Sequence, residues 1–165
     1  MTGSGPPRSP PAREPKPLKA RAIGLLARRE YSRAELRERL QATGAGRDAC
    51  ESVLDELAAL GLLSDARFAQ AVVRQKQGGY ARRAIAESLR QKGVASEVAA
   101  AALSDHAVDD ATALVALWRR RFGRPPGDER EKARQVRYLH SRGFSLAAIL
   151  RLLRDPPPDN APGGA

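Results

Sequence analysis

The chain has a single cysteine, Cys50, in 165 residues. No intramolecular disulfide and no cysteine-rich zinc site can form, which points to a reducing, cytosolic setting. No apolar run approaches the roughly 20 residues that cross a bilayer, so a membrane span is not expected. The first 17 residues lack an apolar core segment, so no secretory signal is expected either. Three isoleucines and three phenylalanines leave no alternating polar–apolar run, and sheet is therefore not expected. Seven aromatic side chains in all provide no interleaved platform on which single-stranded bases could stack.

Catalytic constellations are missing as well. Gly78-Gly79 is not followed by the Gly-Lys-Ser/Thr of a phosphate-binding loop. His106 stands near Asp105, Asp109 and Asp110, but one histidine makes a poor ligand set and an exposed helix cap is the better reading. His140 is remote from it in sequence. Cys50 has no base in evident register and reads as a small packed thiol. Neither a catalytic residue, a metal site nor a cofactor is expected.

What the chain does have is helix-forming residues and positive charge. Ala, Leu, Arg and Glu dominate. The 29 basic residues exceed the 19 acidic ones by ten, and the pI is about 10.7. A chain of that charge seeks a polyanion, or a partner already bound to one. Arg outnumbers Lys 24 to 5, a skew that a GC-rich genome produces too, but such a bias does not generate the excess over acids.

Residues 1–17 and 155–165 hold ten of the 12 prolines and read as disordered tails. Between them, breakers cut the chain into nine short helices. Leu18 to Arg29 is the first. Ser32-Arg33-Ala34-Glu35 forms a capping box, with Glu35 placed to reach back to the cap amide, and that helix ends at Gly44. Asp48 is expected to cap Ala49 to Leu60, Asp65 a helix to Lys76, and Ser96 the segment 97–103. A helix over Ala81 to Lys92 ends at Gly93. Asp109 or Asp110 starts a helix through Arg121, Asp128 one to Arg142, and Ser145 one to Arg154.

The helices fall into threes. The second helix of each triplet ends Leu-x-x-x-Gly, at Leu40–Gly44, Leu89–Gly93 and Leu139–Gly143. Separations of 49 and 50 residues mark a supersecondary repeat. The expected fold is all-α: three tandem three-helix repeats over 18–64, 65–107 and 108–154, forming an elongated, curved array. Net charge rises along it from +1 to +3 to +6. The basic residues singled out as a partner- or nucleic-acid-binding face are Arg67, Arg74, Lys76, Arg82, Arg83, Arg90 and Lys92, then Arg119, Arg120, Arg121, Arg124 and Arg142. Arginine suits phosphate because its planar fork donates two parallel hydrogen bonds. Trp118, Phe68, Phe122 and Phe144 read as core, whereas Tyr31, Tyr80 and Tyr138 are possible surface contacts.

Four stretches resemble the RecX family of bacterial recombination regulators: Leu26 to Gly44, Val53 to Ala69, Arg74 to Val94 and Lys132 to Leu153. Ser32-Arg33-x-Glu35-Leu36 and Gly61-Leu62-Leu63-Ser64-Asp65-x-Arg67-Phe68-Ala69 are the most specific pieces. Gly79-Tyr80 departs from the Gly-Pro that members often carry there, and Gly123 to Gly127 lengthens a loop. The resemblance implies helix-turn-helix-like repeats without catalytic activity. It implies binding to the RecA recombinase and its nucleoprotein filament on DNA, and inhibition of ATPase, strand exchange and co-protease activity. It further implies a cytoplasmic protein of DNA repair, homologous recombination and the SOS response, here expected as a monomer. A direct DNA-binding helix-turn-helix regulator is the alternative.

Overall fold

Among the described residues, nine segments rich in Ala, Leu, Arg and Glu form helices of 9–13 residues. They are α1 (Leu18–Leu26), α2 (Arg33–Gln41), α3 (Arg47–Ala59), α4 (Asp65–Lys76), α5 (Arg82–Gln91), α6 (Ser96–Ser104), α7 (Asp110–Arg121), α8 (Glu129–Ser141) and α9 (Leu146–Arg154). The computed structural model describes residues 17–105 and 109–158, and among these no strand occurs. His106, residues 1–16 and residues 159–165 lie outside the described residues.

Each group of three helices closes on its own core. Leu36, Leu40, Cys50, Leu54 and Leu57 fill the first. Phe68, Val73, Ile85, Leu89 and Leu103 fill the second. Leu114, Leu117, Trp118, Leu139, Phe144 and Ile149 fill the third. Trp118 donates its ring N–H to the buried Gln135 at 2.9 Å, and Gln135 donates to the Arg124 carbonyl at 3.3 Å. Among the described residues no buried side-chain polar atom is left without a partner. Tyr31 belongs to the first core and is 6% exposed, so it is not the surface contact its sequence position suggested.

The caps differ from expectation in informative ways. Ser32, Asp109, Asp128 and Ser145 accept amide hydrogen bonds three residues on, as their positions suggest. α1 stops at Leu26 because Ala27 and Arg28 tighten into a turn, Arg28 donating to the Leu25 carbonyl. α3 starts at Arg47 behind Gly46, so Asp48 lies in its first turn and is not its cap. Ser96 is already helical and Ala95 precedes it without a side-chain bond. Ser64, not Asp65, caps α4. The reciprocal arm of the capping box at Ser32 is not made, because the Glu35 carboxylate is held by Lys92 and Arg29.

Asp65 is free for a different task. Its Oδ1 accepts the Arg33 amide at 2.7 Å, so the first residue of the second unit caps a helix of the first. Asp110 repeats the device, accepting the Arg82 amide at 2.8 Å. The opposite ends of the second helices meet there too. The Ser32 hydroxyl donates to the Lys92 carbonyl at 2.6 Å, and the Ala81 amide donates to the Arg142 carbonyl at 2.9 Å. Thus α2 abuts the end of α5, and α5 abuts the end of α8, by one plan used twice.

The Leu-x-x-x-Gly signature serves these junctions. Leu40, Leu89 and Leu139 are fully buried. Leu89 and Leu139 also accept the amides of Val94 and Phe144 at 3.1 and 3.4 Å, closing the helix ends in Schellman fashion. Gly44, Gly93 and Gly143 take φ of 87°, 73° and 91°. A Cβ at Gly93 would lie 2.5 Å from the Ala34 Cβ, and one at Gly143 2.5 Å from the Ala84 Cβ; at Gly44 nothing lies within 4 Å. Gly44→Ala should therefore cost only the left-handed strain of about 1–2 kcal/mol. Gly93→Ala and Gly143→Ala should each cost a further 1–3 kcal/mol, roughly, from overpacking. Thermal unfolding checks this, and Ala34→Gly should recover the packing part in the Gly93→Ala background. Equal losses at all three glycines would show that the junction contact does not matter.

Candidate functional site

The twelve basic residues singled out from the sequence separate into two groups. In one, the charge is already engaged inside the molecule. Arg67 pairs with Glu30 at 2.9 Å, Arg90 with Glu87 at 2.7 Å and Arg124 with Glu131 at 3.1 Å; Lys92 pairs with Glu35. Arg82 donates to the Leu103 carbonyl at 2.8 Å, Arg83 to the Gly143 carbonyl, and Arg119 to the Pro158 carbonyl at 2.9 Å. The Arg83 side chain thereby fastens the second unit to the third, so changing it perturbs a junction as well as a charge, whereas the Arg82 side-chain bond to Leu103 lies within the second unit. Arg74 is exposed on α4 and stands apart from both groups.

The other group converges at the junction of the second and third units. Lys76 ends α4, and its ammonium lies 5.0 Å from the centre of the Tyr80 ring. The Arg142 guanidinium lies 4.7 Å from the same ring and 5.0 Å from the Tyr138 ring. Arg121, at the end of α7, lies 5.5 Å from Tyr138. Phe122 meets Tyr138 edge-on at 5.5 Å. Beside this row, Arg120 donates to the Gly78 carbonyl at 3.4 Å. Cation, ring, cation, ring, cation alternate across two units.

No carboxylate pairs with any of these four cations among the described residues. Two other features hold them. Each cation–ring contact contributes about 0.5–1 kcal/mol at an exposed site. Lys76, Arg120 and Arg121 sit in the last turns of their helices and Arg142 caps the end of α8, where the negative dipole ends favour positive charge. The row can therefore present several cations at close quarters without a paired acid; Lys76 gives one of its three donors to the Ser88 hydroxyl at 2.9 Å and Arg120 one of its five to Gly78, and the remaining donors stay available.

The first unit behaves oppositely. Arg33 bonds both Glu51 and Asp55, at 2.8 and 2.6 Å, and Arg37 also bonds Glu51. Hydrogen bonds from Arg37 and then Arg33 hold the Glu51 carboxyl below its ordinary value. Bonding to Glu51 correspondingly raises Arg33, against the opposing effect of its partial burial. Lys19, Arg29, Arg33 and Arg37 of this unit are all paired with acids, in keeping with its near-zero net charge.

Of the remaining candidates, Cys50 is buried in the first core, its thiol 4.0 Å from the Ala45 carbonyl. The His140 Nδ1 lies 3.2 Å from the Phe144 carbonyl and helps close the end of α8. No cluster of three or more His, Cys, Asp or Glu side chains suited to a metal ion occurs among the described residues. None of the described helices is long and apolar enough to cross a membrane. The cations and tyrosines of the row were each visible in the sequence, but their alternation was not, because Lys76 and Arg142 are far apart in the chain.

Family models of the first, second and third three-helix domains of RecX match residues 19–57, 64–103 and 109–153. The chain is 44% identical over 142 residues to the regulatory protein RecX of Chromobacterium violaceum, covering 86% of this chain and 92% of that one. The chain belongs to the RecX family. The regulatory protein RecX of Ralstonia nicotianae is 38% identical over 142 residues, covering 86% of this chain and 89% of its own. The crystal structure of RecX from Lactobacillus salivarius superposes with a TM-score of 0.64 over 83% of this chain and 94% of that one. At 20% identity it shows a shared fold. Three tandem three-helix domains are thus the RecX architecture in this chain.

The Glu35 contact joins the first two units of this RecX chain and gives it a pH signature. Burial pushes the Glu35 carboxyl up, but hydrogen bonds from Lys92 and Arg29 together outweigh that and hold it below its ordinary value. Its contribution to stability is thus complete above the unfolded carboxyl value of about 4.3 and is lost as pH falls below it. Glu35→Gln should melt lower than the parent at pH 7, by on the order of 1 kcal/mol, and match it near pH 3. A gap of equal size at both pH values would show that the carboxylate charge is not what joins these units.

Proposed function

We propose that this RecX-family protein is a non-catalytic, cytoplasmic regulator of homologous recombination. It binds the RecA recombinase and its nucleoprotein filament on DNA, and it inhibits ATPase, strand exchange and co-protease activity. One observation carries the mechanism: the row of cations and tyrosines that spans the second and third units without compensating acids. Family membership supports the regulatory role, and relatives are named for it. The charge asymmetry supports a polyanionic target, since the first unit neutralises itself and the second and third do not. At physiological ionic strength charges are screened beyond about 8 Å. Only cations gathered close together, as in this row, can then grip a partner strongly.

A filament is a repeated, extended target, and an array of three units can contact more than one of its subunits. That leads to a dose dependence. ATP hydrolysis by preformed RecA filaments on single-stranded DNA should fall when the protein is added well below one copy per RecA, at near-physiological salt. Inhibition only when the protein is in excess would reduce the effect to competition for DNA. Absence of inhibition, with tight binding to naked duplex in the same buffer, would favour the direct DNA-binding regulator.

A further inference from the structure

We infer that the cleft between α8, α9 and the loop over 124–127 docks an acidic peptide segment of a partner protein, one that carries a bulky apolar side chain among its carboxylates. The site goes beyond the reading above and does not use the row of cations and tyrosines. Lys132, in the cleft, stands near the start of α8 and Arg142 at its end, which sets them about 15 Å apart along the helix. The cleft is an open hollow of about 610 Å³, and Pro125, Pro126, Lys132, Leu150, Arg151 and Arg154 are among its lining residues.

One wall of the cleft is held from the core outward. Trp118 donates to the buried Gln135 at 2.9 Å, and Gln135 donates to the Arg124 carbonyl at 3.3 Å. Glu131 accepts from the Arg124 guanidinium at 3.1 Å and from the Gly127 amide at 2.8 Å. Pro125 and Pro126 lie between these anchors, and their rings fix the backbone further. A wall set in advance spares a partner part of the ordering cost of binding. The corresponding connections in the first two units, 27–32 and 77–81, contain no proline, so the wall is an addition to the third repeat.

The chemistry of the cleft is mixed. Arg151 and Arg154 are exposed near the end of α9 and pair with no carboxylate among the described residues. Lys132 meets Glu129 at 3.3 Å, an exposed pair of the kind that contributes little. Three cations thus share the cleft with one acid. Leu150 is 42% exposed, and Leu146, one turn earlier on the same face of α9, is 50% exposed. Guanidinium forks take carboxylates, and exposed leucines beside a fixed proline wall take an apolar anchor. A phosphate backbone would leave both leucines in water and would meet Glu129. The chain's own Pro156–Pro158 lies against α7, where Arg119 donates to the Pro158 carbonyl at 2.9 Å, so the segment comes from a partner.

The test uses the full-length protein and a fluorescein-labelled peptide, Asp-Glu-Asp-Leu-Phe-Asp-Glu-Asp, read by anisotropy at near-physiological salt. Arg151→Gln with Arg154→Gln should weaken binding about ten-fold or more, and Leu150→Ser about five-fold. Arg134→Gln with Arg137→Gln removes the same charge from exposed positions on α8 outside the cleft and should change little. Circular dichroism melting establishes that each variant is folded. A peptide with Ala-Ala in place of Leu-Phe should bind several-fold more weakly, by about the loss of the apolar anchor. In methyl spectra the peptide should shift Leu146 and Leu150 and leave Leu62 of the first unit unmoved. No binding, equal binding of the Ala-Ala peptide, an equal loss in the Arg134, Arg137 variant, or shifts that spare Leu146 and Leu150 would each overturn the site. An oligo-dT strand is titrated in parallel. If the strand loses affinity in the Arg151, Arg154 variant while the peptide does not bind wild type, the cleft is a nucleic-acid contact and the inference is wrong.

Discussion

The contact on which this molecule depends is the approach of one helix end to another across the unit boundary. A three-helix unit of some 45 residues is marginal when alone, because too little of its surface can be buried. Here the third core is completed by its neighbour: Ala81, which precedes α5 in the second unit, is fully buried in the third unit's core. The close approach needs a glycine at the end of α5 and α8 and an alanine near the start of α2 and α5. It also needs an aspartate from the following unit to satisfy an amide that no intrahelical carbonyl can reach. Glycine supplies two things at once there, a left-handed backbone and the absence of a Cβ.

Electrostatics follow from that geometry. Each junction sets the positive N-terminal end of one helix against the negative C-terminal end of another, and Lys92 and Arg142 lie at the C-terminal ends. At the first junction the gathered charge is neutralised, Lys92 and Arg29 both binding Glu35. At the second it is not. Position 84, which stands in the repeat where Glu35 does, is alanine, so no carboxylate crosses from α5 toward Arg142. One plan of packing thus yields a closed seam in one place and a cationic row in the other.

The repeat was legible in the sequence because it was written in rare residues. Glycine after a fixed run from a leucine, and serine or aspartate before an apolar stretch, are local signals with local causes, and they located the helices to within a few residues. In two places where those signals misled, a long-range partner had taken the side chain. Asp65 looks like the cap of its own helix and instead caps α2; Glu35 looks like half of a capping box and instead binds Lys92. Tyr31 looks like a surface aromatic and is sealed under the Arg29 guanidinium, 3.6 Å from its ring centre. For Asp65 and Glu35 the competing partner lies in another unit, which propensity and spacing do not register.

The sequence by itself determined the helical class, the threefold repeat, the rise of positive charge along the chain and the set of basic residues that could face a partner. These depend on composition and on spacings within one helix turn or one repeat. Tertiary structure alone decided which of those cations are spent internally and which are presented. Ion pairing and cation–ring contact require side chains to meet within a few ångströms, and Lys76 meets the same ring as Arg142 only after two units have docked. Charge counts add up along a chain, but charge availability is settled by neighbours that only folding brings together.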